Sequence, residues 1–212
     1  MSPGRLYRLS GVALLVGSLI NIVATAISTL LFPAPAPTNV LWAAMPLLVV
    51  LGSLLVLIGL PGVYLVQARQ TGWLGLIGYI LTFLTGLIGG IGGGIVSGFV
   101  LPWLATNAPK LAAQQGPPAL IVVFIVAILA TGVGVVLLGL ATMRAGILPR
   151  WAGVLLIIGG VVTFITAAPL PIVVSTLLSN ISTVIFFLGV AWIGYALYAM
   201  KGEPLQQIAS SL

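Results

Sequence analysis

Six stretches of this chain, at about residues 10–32, 40–66, 73–101, 119–143, 151–168 and 173–199, run for 18 to 29 residues without a single Asp, Glu, Lys, Arg or His. Roughly 20 apolar residues in a helix cross a hydrocarbon core of about 30 Å, and a helix satisfies its own backbone where no water competes. The pattern predicts an all-α polytopic membrane protein, a bundle of six transmembrane helices. Composition agrees, with 61% of residues hydrophobic and 4% charged, against soluble averages of about 45–50% and about 25%. No polar segment is long enough to fold separately, so residues 1–212 read as one transmembrane bundle.

The connections are short and marked by proline and basic residues. Pro33-Ala34-Pro35-Ala36-Pro37 cannot continue a helix, and Pro46 and Pro61 predict local kinks in the second run. The loop Gln67-Ala68-Arg69-Gln70-Thr71-Gly72 leads into the third run, which Pro102 is expected to close with Trp103 at the interface. Residues 104–118 are the longest polar segment, read as an ordered surface loop rather than a substrate lid. In it Asn107 is placed to cap a short helix through Pro109, Lys110 and Gln115. Arg144 to Arg150 form a tight basic turn, and Pro169-Leu170-Pro171 a short reversal. Ala24-Thr25-Ala26 has the form of a secretory cleavage site, but the run before it exceeds the roughly 7–15 residues of a signal core and is read as retained.

With six spans, Arg5, Arg8, Arg69, Arg144, Arg150 and Lys201 fall on one side and only Lys110 on the other. Basic residues collect on the cytoplasmic side, so both termini are expected there. Trp42 and Trp103 then mark the outer interface, and Tyr64, Trp73, Trp151, Tyr195 and Tyr198 the inner one.

The centre of the third run reads GLIGGIGGGIVSG. Gly86, Gly89, Gly90, Gly93, Gly94 and Ser97 fall within an arc of roughly 140° at about 3.6 residues per turn. In water each glycine costs roughly 0.8–1 kcal/mol relative to alanine; in lipid the bare face instead admits another helix at close range. The overlapping steps Gly86, Gly90, Gly94 and Gly98 predict a helix-packing seam. The length of this run predicts tilt, or a break near Gly92–Gly94 that would offer backbone carbonyls to a ligand. A phosphate cradle is excluded, because neither G-x-G-x-x-G nor a following Lys-Ser/Thr is present. Gly59-Leu60 before Trp73-Leu74-Gly75 echoes Gly139-Leu140 before Trp151-Ala152-Gly153. This is either a parallel repeat of two hairpins or a product of composition.

Chemistry is limited by what the chain lacks. There is no cysteine and no histidine, and the one acidic residue is Glu203 in the tail, which removes most metal, haem and acid–base machinery. No catalytic residue, metal site or cofactor is expected. Seven basic residues scattered singly make no nucleic-acid patch. Spans free of ionisable groups argue against proton coupling and voltage sensing. Arg69, Arg144 and Arg150 are expected to fix topology and to contact lipid headgroups. Ser18, Asn21, Thr25 and Ser28 share one helical face in the first run, as do Thr176, Asn180 and Thr183 in the sixth. Such stripes either bond helix to helix or line a cavity for an uncharged or amphiphilic ligand.

Arg8-Leu9-Ser10-Gly11, Gly59-Leu60-Pro61-Gly62-Val63-Tyr64 and Arg144-Ala145-Gly146-Ile147-Leu148-Pro149-Arg150 resemble a group of bacterial six-span integral membrane proteins without an established activity. The resemblance implies topology and a bacterial plasma membrane, and carries no catalytic residue with it.

These readings lead to a non-catalytic membrane protein, a structural or accessory subunit packing through its glycine face against lipids or other membrane chains, in a homo- or hetero-oligomer. The alternative is a binding protein or carrier for a neutral or lipophilic small molecule, with Ser18, Asn21, Thr25, Asn180 and Thr183 lining its site.

Overall fold

Where apolar side chains face lipid and no water competes for the backbone, helix is the available solution, and helix occupies all six apolar runs. The computed structural model describes residues 3–32, 36–112, 118–166, 168 and 171–200. The expectations for residues 33–35, Gln115, Pro169, Leu170, Lys201 and Glu203 lie outside the described residues. Helix α1 is Pro3–Leu31. Helix then runs over Val40–Asn107, 68 residues, but Gly72 has φ 51° and ψ −137°, a backbone conformation that suits a residue without Cβ. The chain reverses there, giving α2 (residues 40–71) and α3 (residues 73–107). Helices α4 (Pro118–Ala145), α5 (Arg150–Thr166) and α6 (Ile172–Ala199) follow. Among the described residues there is no strand.

Gly4–Leu31, Val40–Asn107, Ile125–Ala145 and Val174–Ala199 are long and apolar enough to cross a membrane, and the 17 residues of α5 form a shorter apolar helix. This is a membrane protein built of helices.

Local chemistry explains several helix boundaries. The Asn39 side chain accepts from the N–H groups of Leu41 and Trp42 and caps α2, satisfying donors that no earlier turn can reach. Pro46 and Pro61 lie within α2 without non-helical backbone beside them. The loop expected over residues 67–72 is reduced to Gly72 alone. The turn between α4 and α5 likewise uses a positive φ, 65° at Gly146.

In α3 the expected break is absent. Gly92 and Gly93 keep φ −61° and −60°, and the helix instead widens to π geometry over Gly86–Gly92 and Val96–Val100. Pro102 does not close this helix, which continues to Asn107. The Leu101 N–H bonds back to the Val96 carbonyl, so the wide turn just before the proline accommodates a ring that an unbroken α-helix would resist. Asn107 ends α3 rather than capping the next turn: its Nδ2 donates to the Trp103 carbonyl at 3.0 Å. The short helix Pro109–Ala112 follows.

Each helix packs on its neighbours in sequence, and α6 returns to α1. The six helices close an antiparallel ring. Glycines set every seam. A Cβ added at Gly17 would lie 2.5 Å from the Gly52 carbonyl oxygen, at Gly78 2.6 Å from the Leu138 nitrogen, at Gly139 2.7 Å from the Gly153 oxygen, and at Gly11 2.6 Å from the Gly194 oxygen. These are backbone-to-backbone approaches that no larger residue allows. The α5–α6 seam is the loosest, a Cβ added at Gly189 lying 3.1 Å from the Ala152 carbonyl oxygen and one added at Gly159 3.2 Å from the Phe186 nitrogen.

The antiparallel order puts Arg5, Arg8, Arg69, Arg144 and Arg150 at one end of the ring, all exposed, and Lys110 at the other, also exposed. The basic end is solid. Leu14, Leu60, Val63, Leu138, Leu156, Val190, Ile193 and Leu197 fill it as one buried cluster. Outside the ring, Leu19, Ile58, Ile77, Phe99, Val126 and Ile158 are exposed, as a lipid-facing wall requires.

Candidate functional site

Beyond the leucine cluster the ring is hollow. A cavity of about 440 Å³ runs from the level of Asn21, Ser53 and Thr82 to Thr166 and Ser175, which flank the connection between α5 and α6. Its walls are Ser, Thr and Gly interleaved with Val49, Val56, Leu57, Ile128, Phe186 and Phe187, and none of the described wall residues is charged. Amphiphilic walls of this size are typical of small-molecule sites, which span about 300–1,000 Å³.

Five threonine hydroxyls on the wall bond to carbonyls of their own helices. Thr85 Oγ1 donates to the Leu81 carbonyl at 2.7 Å, Thr131 to Ala127 at 2.7 Å, Thr163 to Gly159 at 3.0 Å, Thr166 to Thr163 at 2.7 Å and Thr183 to Ser179 at 2.8 Å. Ser182 Oγ lies 2.7 Å from both the Gly159 carbonyl oxygen and Thr163 Oγ1 and ties α6 to α5. In Thr85, Thr131, Thr166 and Thr183 the proton is engaged with backbone and oxygen lone pairs remain, while Thr163 and Ser182 divide their protons between each other and the Gly159 carbonyl. Asn21 repeats the pattern. It is fully buried, its Nδ2 donates to the Gly17 carbonyl at 2.9 Å, and its Oδ1 has no hydrogen-bond partner. Thr82, 5% exposed, also leaves its Oγ1 unpartnered.

The structure divides the two polar stripes of the sequence. In α1, Asn21 reaches the cavity wall. Ser18 is buried with Oγ unpaired, and Thr25 serves through its carbonyl, which accepts from Thr29 at 2.8 Å. In α6, Thr183 lines the cavity, whereas Asn180 Nδ2 donates to Thr29 Oγ1 at 2.8 Å and joins α6 to α1.

The glycine face of α3 divides as well. A Cβ at Gly86 would meet Leu57, at Gly90 Ser53, at Gly94 Val50 and the Pro46 carbonyl, and at Gly98 Leu47 and the Ala43 carbonyl. These four lie along α2 of the same chain. Gly89 and Gly93 have nothing within 4 Å of an added Cβ. Gly89 opens onto the cavity; Ser97 is half-buried.

Sequence reasoning missed Ser53, Thr82, Thr85, Thr131, Thr163 and Ser182 on the cavity wall. It also missed Gln67, taken for a loop residue but fully buried, with both side-chain amide atoms unpaired. The echoed glycines are not equivalent either: Gly139 meets Gly153 across the α4–α5 seam, whereas Gly59 meets Ser10 on α1.

The chain matches no protein-family model, no curated protein and no solved structure.

Proposed function

We propose that this chain is a six-span protein of a bacterial plasma membrane, with both termini and its basic end cytoplasmic, and that it binds or carries a neutral, partly lipophilic small molecule in the hollow half of the ring. The observation that carries the reading is the uncharged, hydroxyl-rich cavity of about 440 Å³ that all six helices help to line. An accessory subunit of the expected kind needs a glycine face free to receive a partner. Gly86, Gly90, Gly94 and Gly98 are covered by α2, so that face needs no second chain. Among the described wall residues there is no carboxylate, amine, imidazole or thiol, and most of the threonine hydroxyls are bonded to backbone, so the reading includes no catalytic step and no cofactor.

The experiment is extraction of the protein from its native membrane, followed by solvent extraction and mass spectrometry of what co-purifies. One uncharged compound enriched with the wild-type protein and lost from Gly89→Phe, which fills the cavity, is the expected result. Recovery of bulk phospholipid alone, in the same amount with both proteins, would overturn it.

A further inference from the structure

The binding reading leaves the ligand's chemistry open, and the protonation of the wall narrows it. Thr85, Thr131, Thr166 and Thr183 direct their protons at backbone carbonyls, and Asn21 Nδ2 is bonded to Gly17. What these groups turn to the cavity is acceptor capacity. At its deep end Asn21 Oδ1 is an orphan acceptor on a fully buried side chain. A buried polar atom left unpaired is destabilising, and it recurs in native sites where a ligand supplies the partner.

We infer that the ligand is a neutral amphiphilic alcohol whose O–H donates to Asn21 Oδ1, with Thr82 Oγ1, the other orphan on the wall, as a second polar contact, and whose apolar body lies against Phe186 and Phe187. This rests on the binding reading. An ether or ketone of the same shape can accept from the free hydroxyls of Thr82 or Ser53 but has no proton for Asn21. A cation would satisfy the lone pairs, but the described cavity wall holds no carboxylate to offset its desolvation, in a chain of net charge +6.

The test is native mass spectrometry of detergent-purified protein with 1-decanol, its methyl ether 1-methoxydecane, and 1-decylammonium at equal concentration. Four proteins are compared: wild type, Asn21→Leu, Thr82→Val and Gly89→Phe. Thr82→Val is nearly isosteric and removes a hydroxyl with no partner to lose, so it keeps the test open if Asn21→Leu fails to fold. The alcohol is expected to exceed the ether by about tenfold in wild type, the factor for one neutral hydrogen bond, and the ratio to fall toward one in Asn21→Leu and Thr82→Val. Equal retention of alcohol and ether by wild type, with both lost in Gly89→Phe, overturns the alcohol assignment and leaves the binding reading standing. A preference unchanged in both polar variants overturns the assignment to these two atoms. Displacement of the alcohol by decylammonium overturns neutrality, and wild type that retains none of the probes overturns the binding reading itself.

Discussion

The amide of Asn180 donates to the hydroxyl of Thr29 at 2.8 Å, joining residues 151 positions apart and closing the last helix onto the first. Below this bond the α1–α6 seam is tight, since a Cβ at Gly194 would lie 2.8 Å from the Gly11 carbonyl oxygen. Asn180→Leu should therefore loosen the hollow half of the seam while the glycine contact holds the other. Interhelical hydrogen bonds in membranes average about 0.6 kcal/mol and reach roughly 2. Unfolding in a denaturing detergent should show a loss in that range; unchanged stability would mean that the bond does not hold the ring.

Neighbouring glycines on α3 should respond oppositely to alanine. At Gly94 the new Cβ would lie 2.5 Å from Val50 Cγ2 and 2.9 Å from the Pro46 carbonyl oxygen, and overpacking of this kind costs about 1–3 kcal/mol. At Gly93 it would meet nothing within 4 Å, so stability should hold or rise by up to about 1 kcal/mol from helix propensity. Comparable losses at both positions would contradict the α2–α3 register.

Gln67 lies fully buried with both amide atoms unpaired, near the solid end of the ring. Each unsatisfied buried polar group costs about 1–3 kcal/mol. Gln67→Met keeps the unbranched shape and removes the polar atoms, so it should raise the melting temperature. A clear loss of stability would show that the amide has a bound partner.

The helices were legible because their signal is continuous: each apolar run exceeds the length of a buried core helix, and the charges sit at or near helix ends. The glycine seam was legible for a related reason, since Gly86, Gly90, Gly94 and Gly98 repeat at one spacing on one helix. Gly11, Gly17, Gly78, Gly139 and Gly194 carry the same physics singly, and their partners become known only when the order of helices around the ring is known. The cavity was the least legible. Thr131, Thr163 and Ser182 each look like ordinary hydroxyls that bond their own helix, and only the closed ring brings them to one space. Spacing alone also could not separate Asn180 from Thr183, whose side chains face a neighbouring helix and the cavity respectively.

The chain contains no cysteine, so single cysteines report topology without background. On the proposed topology, with the basic end cytoplasmic, Lys110→Cys should react with a membrane-impermeant thiol reagent in intact cells, and Arg144→Cys only after the cells are opened. The reverse pattern would invert the protein, and reaction of both in intact cells would remove one crossing between them.

The most direct test of the hollow ring is the stoichiometry of bound compound in the protein as isolated, measured by native mass spectrometry on wild type and Gly89→Phe. One uncharged adduct per wild-type chain, absent from Gly89→Phe at equal fold stability, is the predicted result. Wild type free of any adduct, or the same adduct on both proteins, would contradict a cavity that holds a ligand.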